Sequence, residues 1–228
     1  EGRELVAQRR CLKCHGDPAK GFPELEMDAP SLAEAGARLH PAWMEAWILD
    51  PRSIRPEATM PKPAGLSGQD AADLAAYLAG LGAPAADGAA APPATATAGA
   101  VLFAELRCVG CHTLPDHEPA PDRIPLRQVK AKWRPAALRA FLKAPQSHYA
   151  WIEMPDFRLT DEEASLLAAF LLSREGQPAK ASGLNGDAGR GRALAGARGC
   201  LNCHTLPGTN TFKAAPLRTI PAAKWASG

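Results

Sequence analysis

The chain carries "RCLKCHGDP", "RCVGCHTLP" and "GCLNCHTLP", and these three copies of Cys-x-x-Cys-His hold all 6 of its cysteines. Cys11, Cys14 and His15 form the first copy, Cys108, Cys111 and His112 the second, and Cys200, Cys203 and His204 the third. Three chemistries use two cysteines at this spacing. A zinc ribbon sets two such pairs around one metal. Here the pairs are odd in number and lie in separate repeats, and each His directly follows its Cys, so their side chains diverge. A thioredoxin-type redox pair belongs in a βαβ setting, which the chain lacks. The third chemistry is attachment of haem c, in which both thiols add to the vinyl groups and the His sits under the iron. Chance pairs or disulfides leave the repeated His unexplained. Three covalent haem c groups are therefore expected.

The repeat extends beyond the motif. "HPAWMEAWILDPRSIRPEATMP" (40–61) aligns without a gap on "RPAALRAFLKAPQSHYAWIEMP" (134–155), and "LSGQDAADLAAYL" (66–78) on "LTDEEASLLAAFL" (159–171). The third copy shares "CHTLP", "PLR" and "AKW" with the second. Two stretches separate the units. "APAADGAAAPPATATAG" (83–99) is Ala/Pro-rich without apolar periodicity, and "SREGQPAKASGLNGDAG" (173–189) is polar and Gly-rich; both read as tethers. The expected division is 1–83 and 99–174 as two domains, 84–98 and 175–187 as linkers, and 188–228 as the N-terminal half of a third domain.

Inside a unit the pattern is helical. Trp43, Trp47 and Ile48 fall at helical spacing between Pro41 and Pro51. Ser67 with Asp70, and Thr160 with Glu163, have capping-box spacing ahead of apolar runs. No run alternates well enough for a strand. The class is all-α with long loops.

A sixth iron ligand must come from outside the motif. Met60 and Met154 are two of only 4 methionines, stand at equivalent repeat positions, and each precedes a proline. A thioether opposite the His raises the potential of the iron. Met44, among helical tryptophans, reads as packing. Pro30, Pro125 and Pro216 each begin a loop segment after a motif, and their carbonyls are candidates for the second ring N–H of the proximal His.

This order of features resembles class I cytochrome c: a short helix, Cys-x-x-Cys-His, a Pro-containing loop, a helix ending in Asp-Pro, a Met-Pro loop and an amphipathic last helix. It covers units one and two and the first half of unit three. The resemblance implies tandem small cytochrome c folds in which the terminal helices cross near Tyr77 or Phe170. It also implies electron transfer in a periplasmic or other extracytoplasmic compartment. Unit three departs from the pattern, with no methionine after His204.

Half a haem pocket cannot close its own core. Continuation of the chain past Gly228 is the expected explanation. A second chain completing the pocket, or an open iron that takes water or a small gas, are the others.

The functional expectation is a multihaem electron carrier, relay or module of a larger respiratory oxidoreductase, with no catalytic residues of its own. The alternative is a haem enzyme or gas-binding protein working at an open third haem. Redox proteins or other oxidoreductase subunits are the expected partners, with association through the incomplete third unit. Arg9, Arg10, Lys13, Arg107 and Arg198 flank the motifs, either to steer an acidic partner or as ordinary solvated charge. A net charge of +2 does not suit a strongly basic nucleic-acid binder. No apolar run is long enough to span a membrane. The chain opens at Glu1 without a signal peptide. The expectation is an exported protein, its leader removed or its numbering begun inside a longer precursor, with membrane attachment left to parts outside this chain.

Overall fold

The structure is a computed structural model that describes residues 29–83, 93–149 and 152–206. They fall in two compact units. One is Glu34–Arg192, and the other holds 29–33 with 193–206 among the described residues.

In the larger unit the second repeat shows how the sequence makes its elements. Helix α5 (Pro93–Glu105) leads to Arg107 in the left-handed region at φ 57, then to a 3-10 turn at Cys108–Gly110. Strand β1 (His112–Thr113) pairs in parallel with β2 (Ile124–Pro125). Helices α6 (Val129–Lys132), α7 (Pro135–Lys143), α8 (Pro145–His148) and α9 (Asp161–Ser173) follow. Pro135 and Pro145 open their helices, where a missing N–H costs nothing. Pro145 also forces Ala144 out of helical geometry and so ends α7. Thr160 Oγ1 accepts the Glu163 N–H at 3.2 Å, and the Glu163 carboxylate accepts the Thr160 N–H at 2.8 Å. Three acidic residues in that first turn suit the positive end of α9.

The long helices cross at a glycine. A Cβ on Gly99 of α5 would collide with the Leu166 carbonyl of α9, so only glycine permits this approach. Beside the crossing, Phe103 and Phe170 pack with ring centroids 5.3 Å apart. This is the crossing that the resemblance placed near Phe170. Leu167, Ala168 and Leu171 bury the rest of that face of α9.

The first repeat supplies α1 (Ala35–Arg38), α2 (Pro41–Leu49), α3 (Pro51–Ile54) and α4 (Gly68–Ala79). The Ser67–Asp70 capping box forms as its spacing predicts. Trp43, Met44, Ile48, Leu74 and Leu78 make the core between α2 and α4, so Met44 is packing, as expected.

The two repeats join through equivalent residues in a reciprocal bridge. The His40 N–H donates to Lys132 O at 3.0 Å, and the Arg134 N–H to Arg38 O at 2.9 Å, around an antiparallel bridge between Leu39 and Trp133. Lys132 Nζ then lies 5.0 Å from the Trp43 ring, 4.8 Å from the Trp133 ring and 5.9 Å from the Tyr149 ring. Burial among these rings, with Arg55 and Arg38 nearby, pushes the Lys132 pKa down to about 8.

Neither stretch read as a tether is uniformly loose. Helix α5 starts at Pro93, inside the first one. In the second, the Gln177 N–H donates to Arg127 O at 2.7 Å and the Ser182 N–H to Glu45 Oε1 at 2.6 Å. Asn185 O accepts from Gln69 at 2.8 Å. Helix α10 (Ala188–Ala197) begins beyond Asp187, whose carboxylate accepts the Arg190 N–H at 2.9 Å.

In the smaller unit, Gly199 at φ 77 precedes a 3-10 turn at Cys200–Asn202. The Leu32 N–H donates to Thr205 O at 3.0 Å. Among the described residues of the chain, no helix is long and apolar enough to cross a membrane. The described structure is mostly helical, as the sequence predicts.

Candidate haem sites

Cys108 and Cys111 lie on and just after one 3-10 turn, and Cys200 and Cys203 repeat this arrangement. In both motifs the residue ahead of the first Cys is left-handed: Arg107 in one, Gly199 in the other. That reversal ends the preceding helix and turns the thiols out of its line. All four are free thiols, not paired in a disulfide despite their spacing. Burial pushes the Cys108 and Cys200 thiols above their ordinary pKa. Cys11, Cys14 and His15 lie outside the described residues.

His112 Nδ1 lies 3.3 Å from Ile124 O. The expected acceptor was the Pro125 carbonyl. The parallel register instead sets Ile124 opposite His112, and Pro125 opposite Thr113. Burial lowers the His112 pKa, outweighing the opposing effect of that hydrogen bond, and so favours the neutral imidazole that binds metal. With Nδ1 engaged, Nε2 is the nitrogen left for an iron. His204 repeats the arrangement, with Nδ1 2.9 Å from Pro30 O. The expectation gave Pro30 to His15, which is outside the described residues, as is Pro216.

Met60 is half-buried, and its Sδ accepts from Trp47 Nε1 at 3.1 Å. Met154 is also half-buried, and Gln146 holds its loop by donating to Met154 O at 2.9 Å. In that repeat Trp133 stacks on Phe141 at 5.0 Å, and Tyr149 meets Phe141 edge-on at 6.1 Å. Sequence reading passed over Trp133, although "AKW" recurs at 131 and 223 and marks that position. His148 sits edge-on to both Trp133 and Phe141, with Arg38 3.3 Å from its Nδ1.

The residues present fit covalently attached haem c: two free thiols on one turn, and a following imidazole oriented through Nδ1. A structural metal ion is a poorer reading. Among the described residues, no three His, Cys, Asp or Glu side chains converge as a ligand set.

Comparison with known proteins agrees. Residues 1–82 match the family described as Cytochrome c, and residues 94–171 match the family described as Cytochrome C oxidase, cbb3-type, subunit III. No curated protein and no solved structure gave a significant match. The helical fold, the glycine crossing and the motif geometry converge with these matches: residues 1–82 and 94–171 are tandem class I c-type cytochrome domains, and there the chain belongs to the cytochrome c family.

Proposed function

We propose that the chain is a trihaem electron-transfer protein, with haem c on Cys11/Cys14, Cys108/Cys111 and Cys200/Cys203. His15, His112 and His204 would each hold an iron in this reading, and Met60 and Met154 would supply sulfur ligands to two of the three. The observation that carries it is the matched geometry of the second and third motifs. Each has a left-handed residue, a 3-10 turn bearing free thiols, and an imidazole whose Nδ1 meets a backbone carbonyl. Haem c, when bound, would supply a one-electron iron couple whose potential the residues holding the iron would tune. The chain's part is to fix the imidazole, hold the thioether loop and keep water from the pocket. Trp47 orients the Met60 sulfur, and Gln146 steadies the Met154 loop.

The match of residues 94–171 supports a place beside the subunits of a terminal oxidase, in a respiratory chain on the periplasmic face of a membrane. The proposed domains are 1–83, 99–174 and a third beginning at 188. The test is intact mass under denaturing conditions. Three haem masses above the polypeptide are expected; two or none would overturn the trihaem reading.

A further inference from the structure

Two helix crossings in the Glu34–Arg192 unit share one register but differ in where the partner helix comes from. Within the second repeat, α9 receives α5 at Gly99, against Leu166 and Phe170. In the first repeat, α4 receives α10, which by sequence belongs to the third. A Cβ on Gly191 would collide with the Asp73 carbonyl and lie 2.9 Å from Tyr77 Cβ. Asp73 aligns with Leu166 and Tyr77 with Phe170, while Gly191 and Gly99 stand equally far before their first cysteine. The third repeat's helix thus makes on α4 the contact that α5 makes on α9.

The chemistry at this crossing is selective. Where the second repeat has Leu166, the first has Asp73, which is 0% exposed. Burial alone would raise the pKa of this carboxyl. The Asp187 N–H at 2.8 Å, Gln69 Nε2 at 2.9 Å and the Arg190 guanidinium outweigh burial and hold it below the ordinary carboxylate value. Arg190 also reaches Asp70 at 3.1 Å. A buried carboxylate persists only with such partners; the guanidinium comes from the third repeat and the Asp187 N–H from the residue just before it. By repeat position, Arg190 corresponds to Ala98 in the second copy and to Glu1 in the first. Ala98 suits Leu166. Glu1 would add a third carboxylate to Asp70 and Asp73. At the far end of the segment, within the smaller unit, the same partner choice recurs. His204 Nδ1 and Thr205 O bond to Pro30 and Leu32 of the first repeat, as His112 Nδ1 and Thr113 O bond to Ile124 and Leu126 within the second.

We propose that α4 of the first repeat is built to receive α10 of the third repeat in preference to the first repeat's own N-terminal segment, with the Asp73–Arg190 pair as the selecting contact. The helix choice does not depend on haem attachment, so its test and the mass measurement can fail separately.

The experiment is amide hydrogen exchange on the full 228-residue chain with its haems attached. Arg190→Glu and Gly191→Leu should each speed exchange in residues 188–197 and 68–79 by about tenfold or more, as loss of a charge-assisted contact or of close helix approach implies. Gly2→Leu, at the equivalent glycine of the first copy, should leave residues 68–79 unchanged. Asp73→Leu with Arg190→Ala, the pair that the second repeat carries as Leu166 and Ala98, should restore the protection lost in Arg190→Ala alone, and this arm decides the matter if Gly191→Leu does not fold. Faster exchange of 68–79 in Gly2→Leu with Arg190→Glu silent, or no rescue by Asp73→Leu with Arg190→Ala, would overturn the proposal.

Discussion

Asp73 and Met60 show how much one side chain decides. Removing one partner from a buried ion pair costs about 3–5 kcal/mol; Arg190 is half-exposed, so Asp73→Ala should cost less, about 2–3 kcal/mol. The pH dependence has a definite sign. The folded pKa of Asp73 is held below its unfolded value, so the stabilisation is complete above the unfolded carboxylate pKa and is lost as pH falls through the folded one. The stability difference between wild type and Asp73→Asn, followed by thermal melting, should be constant from about pH 5 to 8 and shrink in more acid solution. At the proposed distal ligands, Met60→Ala and Met154→Ala should each lower one haem's potential by on the order of 0.1 V or more, a modest part of the ~0.8 V that axial ligands span. Potentiometric titration checks this, and an unchanged titration in both variants would remove the methionines from the ligand set. The thiols and the imidazole were legible because their chemistry is written in adjacent residues. The Ile124 carbonyl was not, because its place opposite His112 depends on a strand register that no local pattern encodes.

Among the elements, those set by local chemistry were the readable ones. Ser67 with Asp70 and Thr160 with Glu163 fix the starts of α4 and α9 within a single turn, and Pro41, Pro51, Pro135 and Pro145 each start a helix. The start of α5 was read as linker because Pro93–Thr97 lacks an apolar stripe, and the residues that pack it, Gly99 and Phe103, come later. Glycine substitutions separate packing from propensity. Gly99→Ala forces a methyl into the Leu166 carbonyl and should destabilise by about 1–3 kcal/mol through overpacking. Gly196→Ala, with nothing near its added Cβ, should stabilise α10 by about 0.5–1 kcal/mol. Denaturant melts of the two variants should move in opposite directions.

For the molecule as a whole, the repeat made the architecture readable up to the point where repeats exchange partners. By repeat position α10 and the first repeat's N-terminal segment are equivalent, and among their differences is the reversal of charge at the place that Arg190 and Glu1 share. The Asp73–Arg190 contact joins residues 117 apart in the chain, and the second repeat lies wholly inside the loop it closes. Closing so long a loop has an entropic cost that short-range contacts avoid, and such contacts form late. The second repeat should therefore acquire its structure first. Pulse labelling of amides during refolding should show protection in α5 and α9 before α4 and α10, whereas simultaneous protection would refute this order. During synthesis, too, α4 leaves the ribosome long before its partner helix has been made, so the first repeat must wait with an ionised Asp73 on an uncovered face until the last of the three copies arrives.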